Sequence, residues 1–355
     1  MTTTHLSIRG NESQFMRSHL TLKFGFLPPS LVKTASWASR KYQLVREILA
    51  FARQNGATKD SHSCATQESI MSDHDELTED QRVAALEEQF PNSPYSERLR
   101  FLRACKGSVS DAAVKLQTYY DWRELHGLDL PEYKEARLGT ANDEEDWLLS
   151  CRKAIEHTEN VDKETPKKKT TASARSLKSF VLPQIVFAYS DGNGLPKTSK
   201  SGRRLLHVMP ARINKKLASA QTYALALSLY LDHKQERDKL DLFVVMLDVR
   251  PGKGWANPPA YNMMPFIKAV GSLLHQHYPE RLDKLFLYPL PRPALWIWEM
   301  VKPFLDPSVV ESAYLIAGKD TVGAPPPNHA LCSHVDEDLL EVMENTRICN
   351  FIDKD

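Results

Sequence analysis

The sequence contains no apolar run close to the roughly 18 residues of a membrane span, so we expect a soluble or peripheral protein. Its cysteines form no CxxC pair, and this spacing suggests neither a zinc site nor a disulfide framework and fits a reducing compartment. The five thiols are those of Cys64, Cys105, Cys151, Cys332 and Cys349. A formal net charge of +1 gives no overall attraction to nucleic acid.

Motifs of catalysis and phosphate binding are also missing. The sequence has no GxSxG or GxGxxG, and Gly252-Lys253 lacks the other residues of a phosphate loop. His275 and His277 are two positions apart, so on a helix they point to different sides and are poorly placed to share a metal. The acidic run Asp143 to Asp146 is interpreted as a surface cluster at a helix start. We therefore expect no enzyme activity, cofactor or metal.

The first 70 residues differ in composition from the rest of the chain. Up to Asp60 they hold nine Lys or Arg and three acidic residues, with scattered Ser and Thr. Such a segment is typical of an organelle transit peptide. Two alternatives remain open, a disordered extension and upstream sequence joined to a chain that starts at Met71.

Residues 77–130 are predicted to form a small all-α unit. Thr78 is placed to cap the first helix, and apolar residues recur at helical spacing up to Gly127. Another helix is predicted from Asp143 to His157. Residues 158–180 are rich in Lys, Thr and Ser, which predicts a mobile insert.

Strand-like and helical segments alternate after this insert. The predicted strands are PQIVFAY, RLLHVMP, DLFVVMLDV, LFLYPL and AYLIA, and the predicted helices include Gln221–Lys239 and Ala260–Tyr278. DLFVVMLDV is apolar on both faces, as expected of a central strand covered on both sides. The alternation predicts an α/β layer on a mostly parallel sheet over residues 181–318. Residues 319–355 are interpreted as a C-terminal tail with a short helix.

A short segment between proline-rich flanks is unusually apolar. Only Glu299 and Lys302 are charged within it, and its apolar residues would cover nearly the whole circumference of a helix. These residues are Leu295, Trp296, Ile297, Trp298, Met300, Val301, Phe304 and Leu305. A helix apolar all round is either buried or meets lipid, and this one is too short to span a bilayer. A tryptophan-rich core helix is the alternative.

Two motifs resemble the CRAL-TRIO lipid-binding family. LRFLRACKGSVSDAAVKLQTYYDWRELHG, at Leu99 to Gly127, is similar to the family's helical N-terminal region. HYPERLDKLFLYPLP, followed by VKPFLDP, resembles its signature before and after the gate helix. The resemblance runs from about Leu77 to Gly318. It implies a CRAL-TRIO bowl: a sheet floor, surrounding helices, and a gate helix that closes a cavity for one lipid.

The resemblance also implies which residues line this cavity. Three lie on the predicted central strand, four on the helix that follows it, and the remainder on the gate. They are Phe243, Val245, Leu247, Met263, Phe266, Ile267, Val270, Trp296, Trp298, Met300, Val301 and Phe304.

The residues expected around a lipid headgroup depart from the family pattern. Lys106 and Glu280 match, and we expect them to bind a headgroup or to form an ion pair with each other. Cys105, Val309 and Ser312 replace residues that bind the inositol headgroup, while Phe243 and Val245 replace hydroxyl residues that bind the phosphate of a choline lipid. A buried phosphate would lose most of its donors, so a phosphoinositide ligand is disfavoured.

The resemblance therefore implies a non-enzymatic carrier that binds one hydrophobic ligand and transfers or presents it between membranes. A sterol, prenyl lipid or tocopherol-like molecule suits the apolar pocket as well as a phospholipid. The expected partners are this ligand and a membrane surface, with no nucleic acid, and the expected state is a monomer at the cytoplasmic face of a membrane. Import into an organelle is the alternative location. The alternative function is an interaction module in signalling, its pocket filled by bulky residues such as Phe243, Trp296 and Trp298.

Overall fold

The described part of the chain centres on one five-stranded sheet. The computed structural model describes residues 77–131, 133, 143–164, 181–291, 298, 299, 301–305 and 307–352. The strands are β1 (Val186–Ala188), β2 (Arg204–Val208), β3 (Phe243–Asp248), β4 (Leu282–Leu290) and β5 (Ala313–Ala317). They lie side by side in sequence order. β1 pairs antiparallel with β2 and the other pairs are parallel. This confirms the predicted α/β class with a mostly parallel sheet.

Three helices form the N-terminal region of the described chain. They are α1 (Glu79–Gln89), α2 (Tyr95–Ala104) and α3 (Val109–Leu125). Thr78 and Gln81 form a capping box at the start of α1, in which each side chain bonds the backbone N–H of the other. The hydroxyl of Ser108 accepts a hydrogen bond from the N–H of Asp111 and caps α3.

Helices cover one face of the sheet. These are α4 (Asp143–Glu164), α5 (Ala220–Lys234), which joins β2 to β3, and α6 (Met264–His277), which joins β3 to β4. α5 packs between α4 and α6, and nearly all of its residues are buried. Such crossover helices allow neighbouring strands to run parallel.

The opposite face of the sheet is covered by the C-terminal part of the chain. A short α7 (Pro307–Glu311) precedes β5, and α8 (Asn328–Leu331) and α9 (Glu337–Cys349) follow it. Leu331, Leu339, Leu340 and Met343 pack with side chains of β2, β3 and β4 in a second apolar core. The prediction of a tail after residue 318 therefore differs from the structure, in which α9 completes the sheet domain.

A buried ionic network fixes α9 to the sheet. Arg250 donates to Asp248 over 2.6 Å and to Glu344 of α9 over 2.6 Å. Burial alone would raise the pKa of Asp248, but the nearby imidazole of His207, 3.8 Å away, and the hydrogen bonds from Arg250 outweigh it and lower this pKa to about 2. Asp248 is therefore ionised at neutral pH and holds Arg250 in place.

Four helix boundaries or environments differ from prediction. α4 continues to Glu164, into the predicted mobile insert, since the sequence places no glycine or proline there before Pro166. The acidic start of α4 is only partly a surface cluster: Glu144 and Glu145 are exposed, whereas Lys234 pairs with Asp143 over 2.9 Å and with the buried Asp146 over 2.6 Å.

α5 ends at Lys234 rather than at Lys239. The guanidinium of Arg281 donates to the carbonyl oxygens of Glu236, Lys239 and Asp241, so this loop is held by bonds from the side chain of Arg281 instead of by a helix. Ala260–Met263 is a 3-10 turn before α6, whereas the sequence predicted a single helix.

Several predictions fall outside the described residues. They concern the extension at residues 1–70, the insert at residues 165–180, Trp296, Met300 and the side chain of Phe304. Within the described ranges, every helix is too short or too polar to cross a membrane.

Candidate functional site

The two faces of the central strand β3 differ in how completely they are covered. Val244 and Met246, on the α9 side, are fully buried in the second core. Phe243, on the α6 side, is also buried, but Val245 and Leu247 on that side are only half-buried. A central strand of a parallel sheet is normally buried on both faces. The α6 side of β3 is thus less completely covered than the α9 side.

This half-buried surface continues across the neighbouring strands. The register places Leu285 beside Val245, and Leu287 between Leu247 and Leu315. All five side chains are half-buried. They form an apolar floor, which we define as Val245, Leu247, Leu285, Leu287 and Leu315.

α6 and the 3-10 turn before it supply an apolar wall beside the floor. Met263 and Phe266 are buried, whereas Ile267 and Val270 are half-buried and pack against the same core as Val245. The structure therefore brings six of the seven predicted lining residues outside the gate into one apolar cluster, and Leu247 lies next to them on β3. Sequence reasoning missed Leu285, Leu287 and Leu315, although the alternation of side chains along LFLYPL could have identified the first two.

The described part of the predicted gate has one buried and one exposed side. Trp298 and Val301 are buried, while Glu299 is exposed and pairs with Lys302 over 2.7 Å. Trp298 and Val301 are three positions apart, as are Glu299 and Lys302. This i, i+3 spacing is that of a helix whose apolar side faces the protein. Further along, Pro303, Leu305 and Pro307 form a groove of about 410 Å³ with the outer side of α6.

The predicted ion pair between Lys106 and Glu280 is not formed among the described residues. Both residues adopt left-handed backbone conformations, with φ of 53° and 55° respectively, in the turns that follow α2 and α6. The pKa of Arg103 is raised by its hydrogen bond to Glu79 and, more weakly, by the charge of Glu280. The charge of Glu280 therefore stabilises the charged form of Arg103. Lys106 instead lies at the groove described next.

Lys106 lines a surface groove of about 520 Å³ between α3 and the end of α6. Cys105, Asp111, Lys115 and His275 line the same groove, and the Nζ atom of Lys115 lies 3.4 Å from Nε2 of His275. Burial raises the pKa of the Cys105 thiol. The thiol is therefore neutral at pH 7 and offers an anionic headgroup no charge. Among the described residues, no three His, Cys, Asp or Glu side chains come together as a metal site.

Comparison with known proteins extends these observations. Residues 190–343 match the family model of the CRAL/TRIO domain. The CRAL-TRIO domain-containing protein YKL091C of Saccharomyces cerevisiae is 34% identical over 64 residues, which cover 18% of this chain and 21% of that protein. The chain thus matches about a fifth of the length of this curated relative.

The crystal structure of Sfh5 aligns with a TM-score of 0.44 and 12% sequence identity, over 67% of this chain and 80% of that one. The family match covers β2 to β5 and half of α9, and so includes the floor, α6 and the core beneath the sheet.

Proposed function

The chain belongs to the CRAL-TRIO family through residues 190–343, and from this membership we propose that it carries one hydrophobic lipid. The lipid would lie between the apolar floor and α6, beneath the segment that holds Trp298. The proposed role is transfer or presentation of this lipid between membranes, without catalysis.

The uneven burial of the sheet carries the proposal. α9 covers one face of β3 completely, whereas the five floor residues remain half-buried on the other. Exposed apolar surface in the middle of a domain is unfavourable unless something covers it. A bound apolar ligand would cover the floor residues, as α9 covers the opposite face of the sheet.

The chemistry of the floor indicates the class of ligand. Each methylene group removed from water contributes about 0.8 kcal/mol, so a lipid tail gains most of its binding energy from such a surface. Phe243 and Val245 offer no hydrogen bond to a headgroup, and Cys105 carries no charge there. A lipid with a small or neutral polar end fits better than a phosphoinositide, because a buried phosphate would lack donors.

The predicted gate supports exchange at a membrane surface. Trp298 and Val301 would cover the ligand in the soluble state, and outward movement of the segment would bring their apolar side to the lipid interface. The exposed pair of Glu299 and Lys302 would keep the other side in water. The protein would then be a monomer that binds membranes peripherally at the cytoplasmic face.

Native mass spectrometry of the freshly purified full-length chain tests the proposal directly. We expect a mass excess of one lipid, and extraction of lipid from labelled vesicles. In Leu287→Trp the larger side chain should occupy the floor and reduce the bound fraction at least tenfold. Leu195→Trp is the matched control, because Leu195 is 63% exposed in a surface turn and should leave binding unchanged.

A protein that carries no lipid and extracts none from vesicles of several compositions would contradict the proposal. That result would favour the interaction module, in which bulky side chains fill the pocket. Thermal unfolding of both variants distinguishes loss of binding from loss of fold.

A further inference from the structure

Few buried side chains hold α6 to the rest of the protein. Of its 14 residues two are buried, Phe266 near its start and His277 at its end. By contrast, 13 of the 15 residues of α5 are buried. A helix with few buried contacts opens locally at a lower free energy than the core of the same fold. The attachment of the C-terminal end of α6 therefore depends largely on the imidazole of His277.

His277 lies in an aromatic niche against α3. The residue is 3% exposed and its ring stacks on the indole of Trp122, with 4.4 Å between ring centroids, while the ring centroid of Tyr119 lies 6.3 Å away. The Nδ1 atom of His277 is buried and has no hydrogen-bond partner among the described residues. A neutral imidazole suits this niche, whereas a protonated ring would be a buried cation with an N–H that lacks an acceptor. Attraction to the face of the indole would offset only part of that cost.

The groups around this niche are mostly basic. The ring of His126 packs edge-on against Trp122, with 5.0 Å between centroids, and against His157, with 4.4 Å between centroids. On α5, the carboxylate of Asp232 is bonded to Arg123 over 2.7 Å. A proton taken up here would therefore meet positive neighbours and a carboxylate that is already paired. The other titratable groups next to the niche are Lys115 of α3, Lys153 of α4, and Tyr278, the residue after His277.

We propose that α6 is a proton-sensitive element of this fold, in which protonation of His277 releases the C-terminal end of α6 from α3. The start of the helix stays attached through Phe266, so the movement is a partial opening and not unfolding of the domain. Because α6 forms a wall beside the apolar floor, its release would uncover part of the floor. That consequence for a lipid rests on the proposed function, whereas the response of α6 to protons does not.

The pH range of this response follows from the two environments of the same imidazole. Burial, and then the charges of His126 and Lys115, lower the pKa of His277 to about 4 in the packed helix. Released into water, the ring titrates near pH 6.5. As the pH falls from 6.5 toward 4, the released state therefore binds a proton that the packed state excludes, and the equilibrium shifts toward release. At pH 5.5 the released fraction should be about tenfold larger than at pH 7.

Hydrogen exchange of the full-length chain, followed by mass spectrometry at pH 7 and pH 5.5, tests this response. The measurement needs no bound ligand, so a failure of the proposed lipid binding would not affect it. Labelling times are scaled to the intrinsic exchange rate at each pH. The protection of amides in the C-terminal half of α6 should fall about tenfold at pH 5.5. At both pH values it should stay at least about tenfold below the protection of α5, because α6 opens without the rest of the domain.

Two variants separate His277 from other groups that titrate. His277→Phe keeps a ring that can stack on Trp122 but binds no proton, and it should remove most of the pH-dependent loss of protection. His275→Gln is the matched control, because His275 lies on the same helix at the surface, and it should lose protection as the wild type does. Equal protection of α6 at the two pH values, equal protection of α6 and α5, or an unchanged loss in His277→Phe would overturn the proposal. If His277→Phe does not fold, the two wild-type comparisons still decide the matter.

Discussion

At the scale of single residues, His277 occupies an unusual environment at the end of α6. Its ring stacks on Trp122 of α3 with 4.4 Å between ring centroids, and His126 packs edge-on against the same indole. Burial, and then the charges of His126 and Lys115, lower the pKa of His277 to about 4. Burial and the charge of the neighbouring His157 likewise lower the pKa of His126 to about 4. Both rings are neutral at pH 7.

These shifts predict that acid destabilises the fold. An unfolded histidine titrates near pH 6.5, so between pH 6.5 and 4 the unfolded chain binds protons that the folded chain excludes. The free energy of unfolding should fall by up to about 1.4 kcal/mol per pH unit for each such group. Urea unfolding at pH 7 and pH 5 measures this slope, which should be shallower in His277→Gln. His329→Gln changes an exposed histidine and should keep the wild-type slope; an unchanged slope in His277→Gln would contradict the prediction.

Side-chain direction was the most predictable property of single residues. The side chains of a strand alternate between its two faces, so Phe243 and Val245 lie on the same face of β3. Pairing between loops was not predictable in the same way. Lys106 and Glu280 each have a left-handed backbone conformation in a turn. The sequence of a motif does not reveal where such a turn directs its side chain.

At the scale of secondary-structure elements, α9 packs against the sheet, a role that its sequence alone does not indicate. Leu340 is 3% exposed in the core beneath the sheet, whereas Ile348 on the same helix is 49% exposed. We expect Leu340→Ala to lower the free energy of unfolding by about 2–4 kcal/mol, because it leaves a cavity against the sheet. Ile348→Ala should cost less than about 0.5 kcal/mol. Denaturant unfolding measures both, and equal small losses would show that α9 does not stabilise the domain.

The strands were easier to predict than the ends of the helices. AYLIA coincides with β5, and DLFVVMLDV contains β3, since short continuous apolar runs of this length suit a strand. The end of α5 depends on Arg281, which is far away in the sequence and holds three carbonyl groups of the following loop. α9 was interpreted as part of a tail because the sequence does not show what its apolar face packs against. That face packs against the second face of the sheet, which only the structure reveals.

At the scale of the whole molecule, the residues from 77 onward behave as one unit because buried ion pairs connect the N-terminal helices to the sheet domain. Arg123 of α3 reaches Asp232 of α5, and Glu97 of α2 receives Arg237 from the loop after α5. The described residues from 77 onward accordingly form one compact unit. The sequence indicated a helical unit followed by an α/β unit, but no local pattern indicated that they share a core.

This connection predicts that a single substitution at the junction weakens both parts together. Arg123→Met would leave Asp232 buried without its partner, which costs about 3–5 kcal/mol when a buried pair is broken. The Tm should fall by several degrees in one transition, seen equally by tryptophan fluorescence and by far-ultraviolet circular dichroism. Arg103→Met breaks the exposed pair with Glu79 and should leave the Tm close to that of the wild type. Arg123→Met could instead unfold in two separate transitions, with the sheet domain melting at the wild-type temperature. That result would show that the N-terminal helices fold independently of the sheet. It would also show that the pair with Asp232 does not hold the two parts together.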